Sequence, residues 1–304
     1  NLSMLYESQG NYSAAEPFYM RALEIHETAL GHDHPATGGS LNNLATLYLA
    51  QANWDAAEPL LLRALKISEK ADGPHHPSTG NALNSLAFLY KSQGNFAAAE
   101  PLYVRALSIN EKALGPEHQI TARSLNNLAG VYQSQANYEA AEPLLQRALR
   151  IVEAVHGPDH PESAPILNNL AKLYKNNGNA AAALPLYLRA LKIREKTFGQ
   201  DHPDTAQSLN NLAALHDSQG NHISAVPLYE QALKIRERAL GPDHPATAAS
   251  LNNLAMLYDR QKNYTAAEPL YQRALKIRET VLGLDHPDTA ISLNCLAVLR
   301  WDSN

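Results

Sequence analysis

The sequence predicts an all-α solenoid of about seven and a half helix hairpins, and three observations carry that expectation. Leu41-Asn42-Asn43-Leu44-Ala45, or a close copy of it, returns at residues 83, 125, 167, 209, 251 and 293, always 42 residues on, without insertion or deletion. A fixed period of this length belongs to stacked units that bury their apolar faces against one another. Within each unit, apolar residues recur at spacings of three and four in two successive stretches, the periodicity of amphipathic helices. Short segments rich in Gly, Asn and Pro separate those stretches, as helix ends require.

The unit from Pro35 to His76 shows how each element arises. Asp33-His34-Pro35 offers a polar cap and then proline at the first helical position, where its missing N–H costs nothing. Leu41, Leu44, Ala45 and Tyr48 form the apolar stripe of the first helix. Gln51-Ala52-Asn53 ends it; in other copies the middle residue is Gly10, Gly94, Gly178 or Gly220, suited to a positive φ. Asn53 then caps a second helix carrying Trp54, Ala57, Leu61, Ala64, Leu65 and Ile67, which runs to about Ala71 and ends at Gly73. Pro59 recurs as Pro17, Pro101, Pro143, Pro185, Pro227 and Pro269 about two turns into each second helix. The apolar period continues through it, so the expectation is a shallow repeated kink and not a break.

The units run roughly over 1–34, 35–76, 77–118, 119–160, 161–202, 203–244, 245–286 and 287–304, expected as one solenoid with no internal boundary. Asn1 is the counterpart of Asn43, so the chain is expected to be a piece of a longer array, truncated at both ends. Gln119 replaces the usual proline and Pro165 enters one first helix, which predicts irregular starts in units four and five.

Composition excludes several classes. Hydrophobic residues make up 45%, charged residues 18%, and the formal net charge is −5; a nucleic-acid-binding domain would be basic. No apolar run approaches the ~18 residues of a membrane span, and no leader peptide is recognisable. A single cysteine, Cys295, rules out an internal disulfide framework and fits a reducing compartment, so a cytoplasmic location is expected. No nucleophile–base constellation, paired-carboxylate pocket or phosphate-cradling loop stands out, and neither catalysis nor a cofactor is expected.

Gly94-Asn95-Phe96 with Ala99, Tyr103 and Ala106, in a run reading Ala-Glu-Pro-Leu-Tyr-x-Arg-Ala-Leu, resembles the tetratricopeptide repeat. The 42-residue unit with Leu-Asn-Asn-Leu-Ala and Leu-Gly-x-x-His-Pro is similar to the repeats of kinesin light chains and nephrocystin-3-like proteins. The resemblance covers the whole chain. It implies a right-handed α-α superhelix whose first helices line a concave groove, and a non-catalytic scaffold for protein or peptide partners. The near-identity of the copies suggests recent duplication, with a bacterial source as the expectation.

On a helical wheel the first helix opposes its apolar stripe with Gly39, Asn43, Thr46 and Ala50. Two of these columns are individualised from unit to unit: Gly39, Asn81, Arg123, Pro165, Gln207, Ala249, Ile291 and Met4, Thr46, Phe88, Gly130, Lys172, Ala214, Met256, Val298. Between them runs an asparagine column, Asn1, Asn43, Asn127, Asn169, Asn211 and Asn253, with Ser85 and Cys295 as departures. A primary amide both donates and accepts, so this ladder is expected to hold the backbone of an extended peptide. Asn42 and its counterparts are expected to be structural. Units three to five place Lys91, Arg123, Lys172 and Lys175 on these columns with no acid, whereas Asp217, Asp259 and Arg260 follow in units six and seven. A basic middle groove inside an acidic protein predicts an acidic ligand sensitive to salt. Phe88 beside Gly130 predicts a gap for one bulky apolar anchor, similar to the tryptophan-with-acids motifs of kinesin light chain cargo.

Other features support expectations of a different kind. The column His34, His76, His118, His160, His202, His244 and His286 repeats too far apart to converge on one metal, at roughly 10 Å per packed helix pair. Ala180, His222 and His216 replace aromatic residues, predicting a softer joint that loosens further below about pH 6. Leu296, Leu299 and Trp301 lack a following second helix, predicting end-to-end stacking between copies.

Overall fold

The computed structural model describes residues 5–6 and 9–302, so the Asn1 and Met4 positions of the groove columns lie outside the described residues. Fourteen helices and no strand occur among the described residues. The first seven are α1 (Tyr12–Leu30), α2 (Pro35–Ala50), α3 (Trp54–Ala71), α4 (Pro77–Ser92), α5 (Phe96–Leu114), α6 (Gln119–Ser134) and α7 (Tyr138–His156). The rest are α8 (Ser163–Asn176), α9 (Ala180–Phe198), α10 (Pro203–Ser218), α11 (His222–Ala239), α12 (Pro245–Arg260), α13 (Tyr264–Val281) and α14 (Pro287–Asp302). Even numbers are the first helices of the repeat and odd numbers the second.

The histidine column caps the first helices. Nδ1 of His34, His76, His118, His202, His244 and His286 accepts from the amide two residues on, at 3.0–3.3 Å. A threonine three residues after each histidine completes the joint. Thr37, Thr79, Thr121, Thr205, Thr247 and Thr289 are fully buried, and each hydroxyl donates to the carbonyl of the preceding glycine at 2.8–2.9 Å. This latch was not read from the sequence. Thr121→Val should leave the Gly115 carbonyl only the His118 amide at 3.3 Å and lower stability by about 0.5–1.5 kcal/mol in urea unfolding.

Second helices begin as expected, with Asn53, Asn95, Asn137, Asn179, Asn221 and Asn263 accepting from the amide three residues on. The residue before each has positive φ: Gly94 at 74°, but also Ala52 at 50°, Ala136 at 56° and Lys262 at 58°. A side chain there is strained, so Ala52→Gly should stabilise by roughly 0.5–1 kcal/mol net of glycine's entropy, measurable as a raised urea midpoint. Every second helix runs unbroken through its proline. The irregular starts are half as expected. The first turn of α6 is regular despite Gln119, whereas α8 begins two residues late and has 14 residues where its counterparts have 16.

Of the described residues, 5–6 and 12–173 form one compact unit and 9–11 and 174–302 the other. In the first, α2 packs on α3, α3 on α4, and so on in chain order to α7, and α2 also touches α4. In the second, α9 through α14 pack successively, with α10 on α12 and α12 on α14. Each core repeats one pattern. Ala87, Ala99, Tyr103, Leu128 and Val131 cluster in the first unit, and Ala213, Ala225, Tyr229, Leu254 and Leu257 in the second. Leu41, Leu44 and Ala45 are buried as the wheel requires, and the Leu47 column, not read from the sequence, is buried equally. Outside the cores, Arg63, Arg105, Arg147 and Arg273 pair with Glu27, Glu69, Glu111 and Glu237 at 2.5–2.6 Å, tying successive second helices together.

Candidate functional site

Burial separates the two asparagine columns. Asn168, Asn210 and Asn252 are buried, and Asn210 Nδ2 donates to Ser250 Oγ on the next first helix at 3.1 Å. The Asn42 column is therefore inter-repeat packing. Asn43 is exposed and Asn127 and Asn253 are half-buried. The ladder is not uniform, however. Asn169 Nδ2 donates to Asn126 Oδ1 at 2.8 Å, and its backbone carbonyl accepts from Gln133 Nε2 at 2.7 Å. That rung joins α6 to α8. Asn211 accepts from Gln207 within its own helix at 3.1 Å.

In the first unit, Phe88, Arg123 and Lys172 are exposed on the first-helix face. Lys91, near the end of α4, is different. Its ammonium lies 2.8 Å from where a Cβ on residue 130 would stand. The expected gap over Gly130 is thus occupied by Lys91, and an apolar anchor cannot enter there. A glycine on α6 makes room for a cation from α4. Burial, and secondarily the Lys172 charge, push the Lys91 ammonium below the usual lysine range. Among the described residues neither Lys91 nor Lys172 makes an ion pair or a side-chain hydrogen bond. The Lys172 charge thus acts on Lys91, and neither cation has an ion-pair partner among the described residues. Lys175 is half-buried three residues beyond Lys172 on α8.

The corresponding face of the second unit is internally neutralised. The Asp217 carboxylate is only 6% exposed and is ion-paired with Arg260. His222 Nδ1 stands 3.4 Å from Asp217 Oδ1. At α14, Leu296 and Leu299 are buried against Ala255, Ala267 and Tyr271 of the preceding repeat. Trp301 remains 85% exposed.

Among the described residues one group has the donors for a metal. His156, His160 and Glu162 bring a ligand atom each within 4.8 Å of one another. At present the two imidazoles stack with centroids 4.2 Å apart, and the Gln119 amide bridges His156 and Glu162. Counting only the once-per-repeat histidines missed this group; the signal was His156 where other units have Leu30, Asp72 or Phe198.

A helical-repeat binding scaffold is the class that this fold and these individualised faces define. The chain belongs to the tetratricopeptide repeat family, whose model matches it successively over residues 1–70, 39–112, 78–154, 120–176, 163–238, 218–280 and 260–304. It is similar to the crystal structure of BtubC (BKLC) from P. vanneervenii, at 26% identity over 76% of this chain and 92% of that one, with a TM-score of 0.62. It is also similar to nearly identical repeats of a putative kinesin light chain of Podosopora anserina, at 28% identity over 67% of this chain and 97% of that one, TM-score 0.54. A nucleotide-binding leucine-rich repeat-like protein of Hyaloscypha variabilis is 50% identical over 42 residues, 14% of this chain and 4% of that protein's length. The chain is thus a protein–protein interaction scaffold of a family that is generally non-catalytic. No helix of the described residues is long and apolar enough to cross a membrane.

Proposed function

We propose that the first-helix face of the unit spanning α2 to α8 holds an extended acidic peptide segment of a protein partner, without catalysis and in the cytoplasm. The observation that carries this reading is Lys91. A half-buried ammonium in the field of Lys172, with no ion-pair partner for either among the described residues, is destabilised until an anion arrives. A carboxylate between the two would convert mutual repulsion into two charge-assisted contacts. Arg123 on the same face extends the positive field. Asn43 and Asn127 supply amides to a passing backbone, and Asn253 does so in the second unit; Asn169 and Asn211 contribute less because their amides are already engaged. An apolar residue of the ligand packs on the exposed ring of Phe88, beside the Lys91 ammonium and not over Gly130.

An array of peptides biased to acidic and aromatic residues, followed by a salt titration of each hit, tests this. Lys172→Glu, alone or with Lys175→Glu, should weaken a true hit by at least about tenfold. Unchanged affinity would refute the reading. An array without hits, joined to concentration-dependent association through Trp301, would favour a self-associating rod instead.

A further inference from the structure

One inter-repeat contact differs from all its counterparts. In five of the seven joints between successive units, a side chain late in the second helix hydrogen-bonds the residue fourteen positions on, at the start of the next first helix. His26 Nδ1 meets Ser40 Oγ at 2.7 Å, and Asn110 Nδ2 donates to Ser124 Oγ at 2.9 Å. Val152 and Ile166, both buried, stand at the same two positions in another joint. Arg194, Arg236 and Arg278 each donate through Nη1 to Ser208, Ser250 and Ser292 at 2.7–3.0 Å. The same Nη1 also reaches the backbone carbonyl of Asp204, Ala246 or Asp288. Arg236 further donates through Nη2 to Gln207 Oε1 at 2.6 Å.

The seventh joint carries Ser68 and Ala82. Ser68 is too short to cross, and its hydroxyl turns back to the Leu65 carbonyl at 2.9 Å. A cavity of about 230 Å³ remains, lined in part by Gly39, Asn42, Ser68, Asp72, Ser78 and Ala82. Counting back by the 42-residue period, Gly39, Ser78 and Ala82 are the counterparts of Gln207, Ala246 and Ser250. Those three are the partners that hold the Arg236 guanidinium. The cavity is therefore the space which, three times elsewhere in this chain, an arginine fills.

Its remaining polar groups suit a cation. Asn42 Oδ1 is buried without a hydrogen-bond partner, as are the Oδ1 atoms of its counterparts Asn84, Asn168, Asn210 and Asn252, but here it lines an open cavity. The Asp72 carboxylate, where most units carry an apolar residue, accepts from Ser78 Oγ at 2.5 Å. At about 230 Å³ the cavity is smaller than the ~300–1,000 Å³ of drug-sized ligand sites, a volume for a side-chain end. We infer that this pocket receives the guanidinium of an arginine carried by the bound partner, with Asn42 Oδ1, the Ser78 carbonyl and the Asp72 carboxylate as acceptors.

The pocket opens beside Gly39 and Asn81 on the first-helix face, so the inference adds a basic residue to the acidic peptide read above. Asn81 and Lys91 are ten residues apart on α4, which sets the arginine and the nearest acid of the ligand about 15 Å from one another.

The pocket can be tested without that peptide. Methylguanidinium is titrated into the full chain while the backbone amides of Ser68, Asp72, Ser78 and Ala82 are followed by NMR; N-methylurea, of similar shape and no charge, is the control. Saturable shifts with methylguanidinium and none with the urea are expected. Asp72→Asn should weaken binding by roughly tenfold, the loss of one charge-assisted contact. Ser68→Arg with Ala82→Ser recreates the Arg236–Ser250 pair, and should abolish the shifts and raise Tm. Gly39→Gln, which only narrows the mouth, provides a second blocked form should the double variant fold poorly. Shifts that persist in the blocked forms, equal response to the urea, or no response at ~50 mM, well beyond the millimolar affinity of a weak fragment, would overturn the inference. Acidic-peptide binding that survives in the blocked forms would leave the Lys91–Lys172 reading standing on its own.

Discussion

Replacing Lys91 by Met is expected to make the protein more stable and its acidic ligand much weaker. The ammonium is half-buried against Gly130, feels the charge of Lys172 and has no ion-pair partner among the described residues. Removing it should stabilise the fold by roughly 1 kcal/mol, the low end for an unpaired buried polar group. The pH dependence follows from the sign of the shift. Lys91 binds its proton less tightly when folded, so the penalty is fully present below its folded pKa. It disappears as pH rises to the unfolded lysine value near ~10.4. The stability difference between the variant and the parent should therefore be constant around neutrality and vanish in strong alkali. Affinity for an acidic peptide should fall by about fifty- to a hundredfold, as for loss of one partner of a desolvated charge pair. Urea unfolding across pH, set beside calorimetric titration of the peptide, measures both. A variant that is less stable and binds as before would contradict the placement of the charge.

Tyr103→Ala is expected to cost about 3–5 kcal/mol, in the range of large aromatic truncations. Tyr103 is 2% exposed and sits among Ala87, Ala99, Leu128 and Val131, so alanine would leave a cavity in a core whose surroundings relax only partially. In a repeat array stability is a sum of unit and nearest-neighbour terms. The loss should therefore fall on α4 to α6, and hydrogen exchange should show those helices opening well before α12 and α13. A uniform loss of protection along the chain would mean stronger long-range coupling than the packing implies.

The fold was legible because each requirement repeats. The Leu41, Leu44 and Ala45 stripe, the Asn53 cap and the positive-φ turn each recur in register, so accidental residues average out. The histidine column became interpretable once its Nδ1 atoms were seen to cap helices, although His160 also stands in the group with His156 and Glu162. The candidate site was less legible because it depends on departures from the repeat. Whether Lys91 is buried is decided by Gly130, 39 residues away and on another helix. The Ser68–Ala82 vacancy is a property of a pair, and columns compared one at a time show only an ordinary serine and an ordinary alanine. Asn169 looked identical to Asn127 in sequence, yet Gln133 and Asn126 draw it into packing. Asp217 read as a groove acid, although Arg260 neutralises it.

The central claim is that the individualised face of the first helices, and not the outer face of the second, holds the ligand. The outer face is a real competitor, since Met20, Leu62, Val104 and Leu188 are exposed there at one-repeat intervals or multiples of it. Photo-crosslinking decides between them. The best acidic peptide from the array, carrying a benzophenone at its apolar position, is irradiated on the full chain and the adducts are mapped by mass spectrometry. Adducts at Phe88, Arg123 or Asn127, lost on addition of salt, are the expected result. Adducts confined to Leu62, Val104 and their neighbours would contradict it.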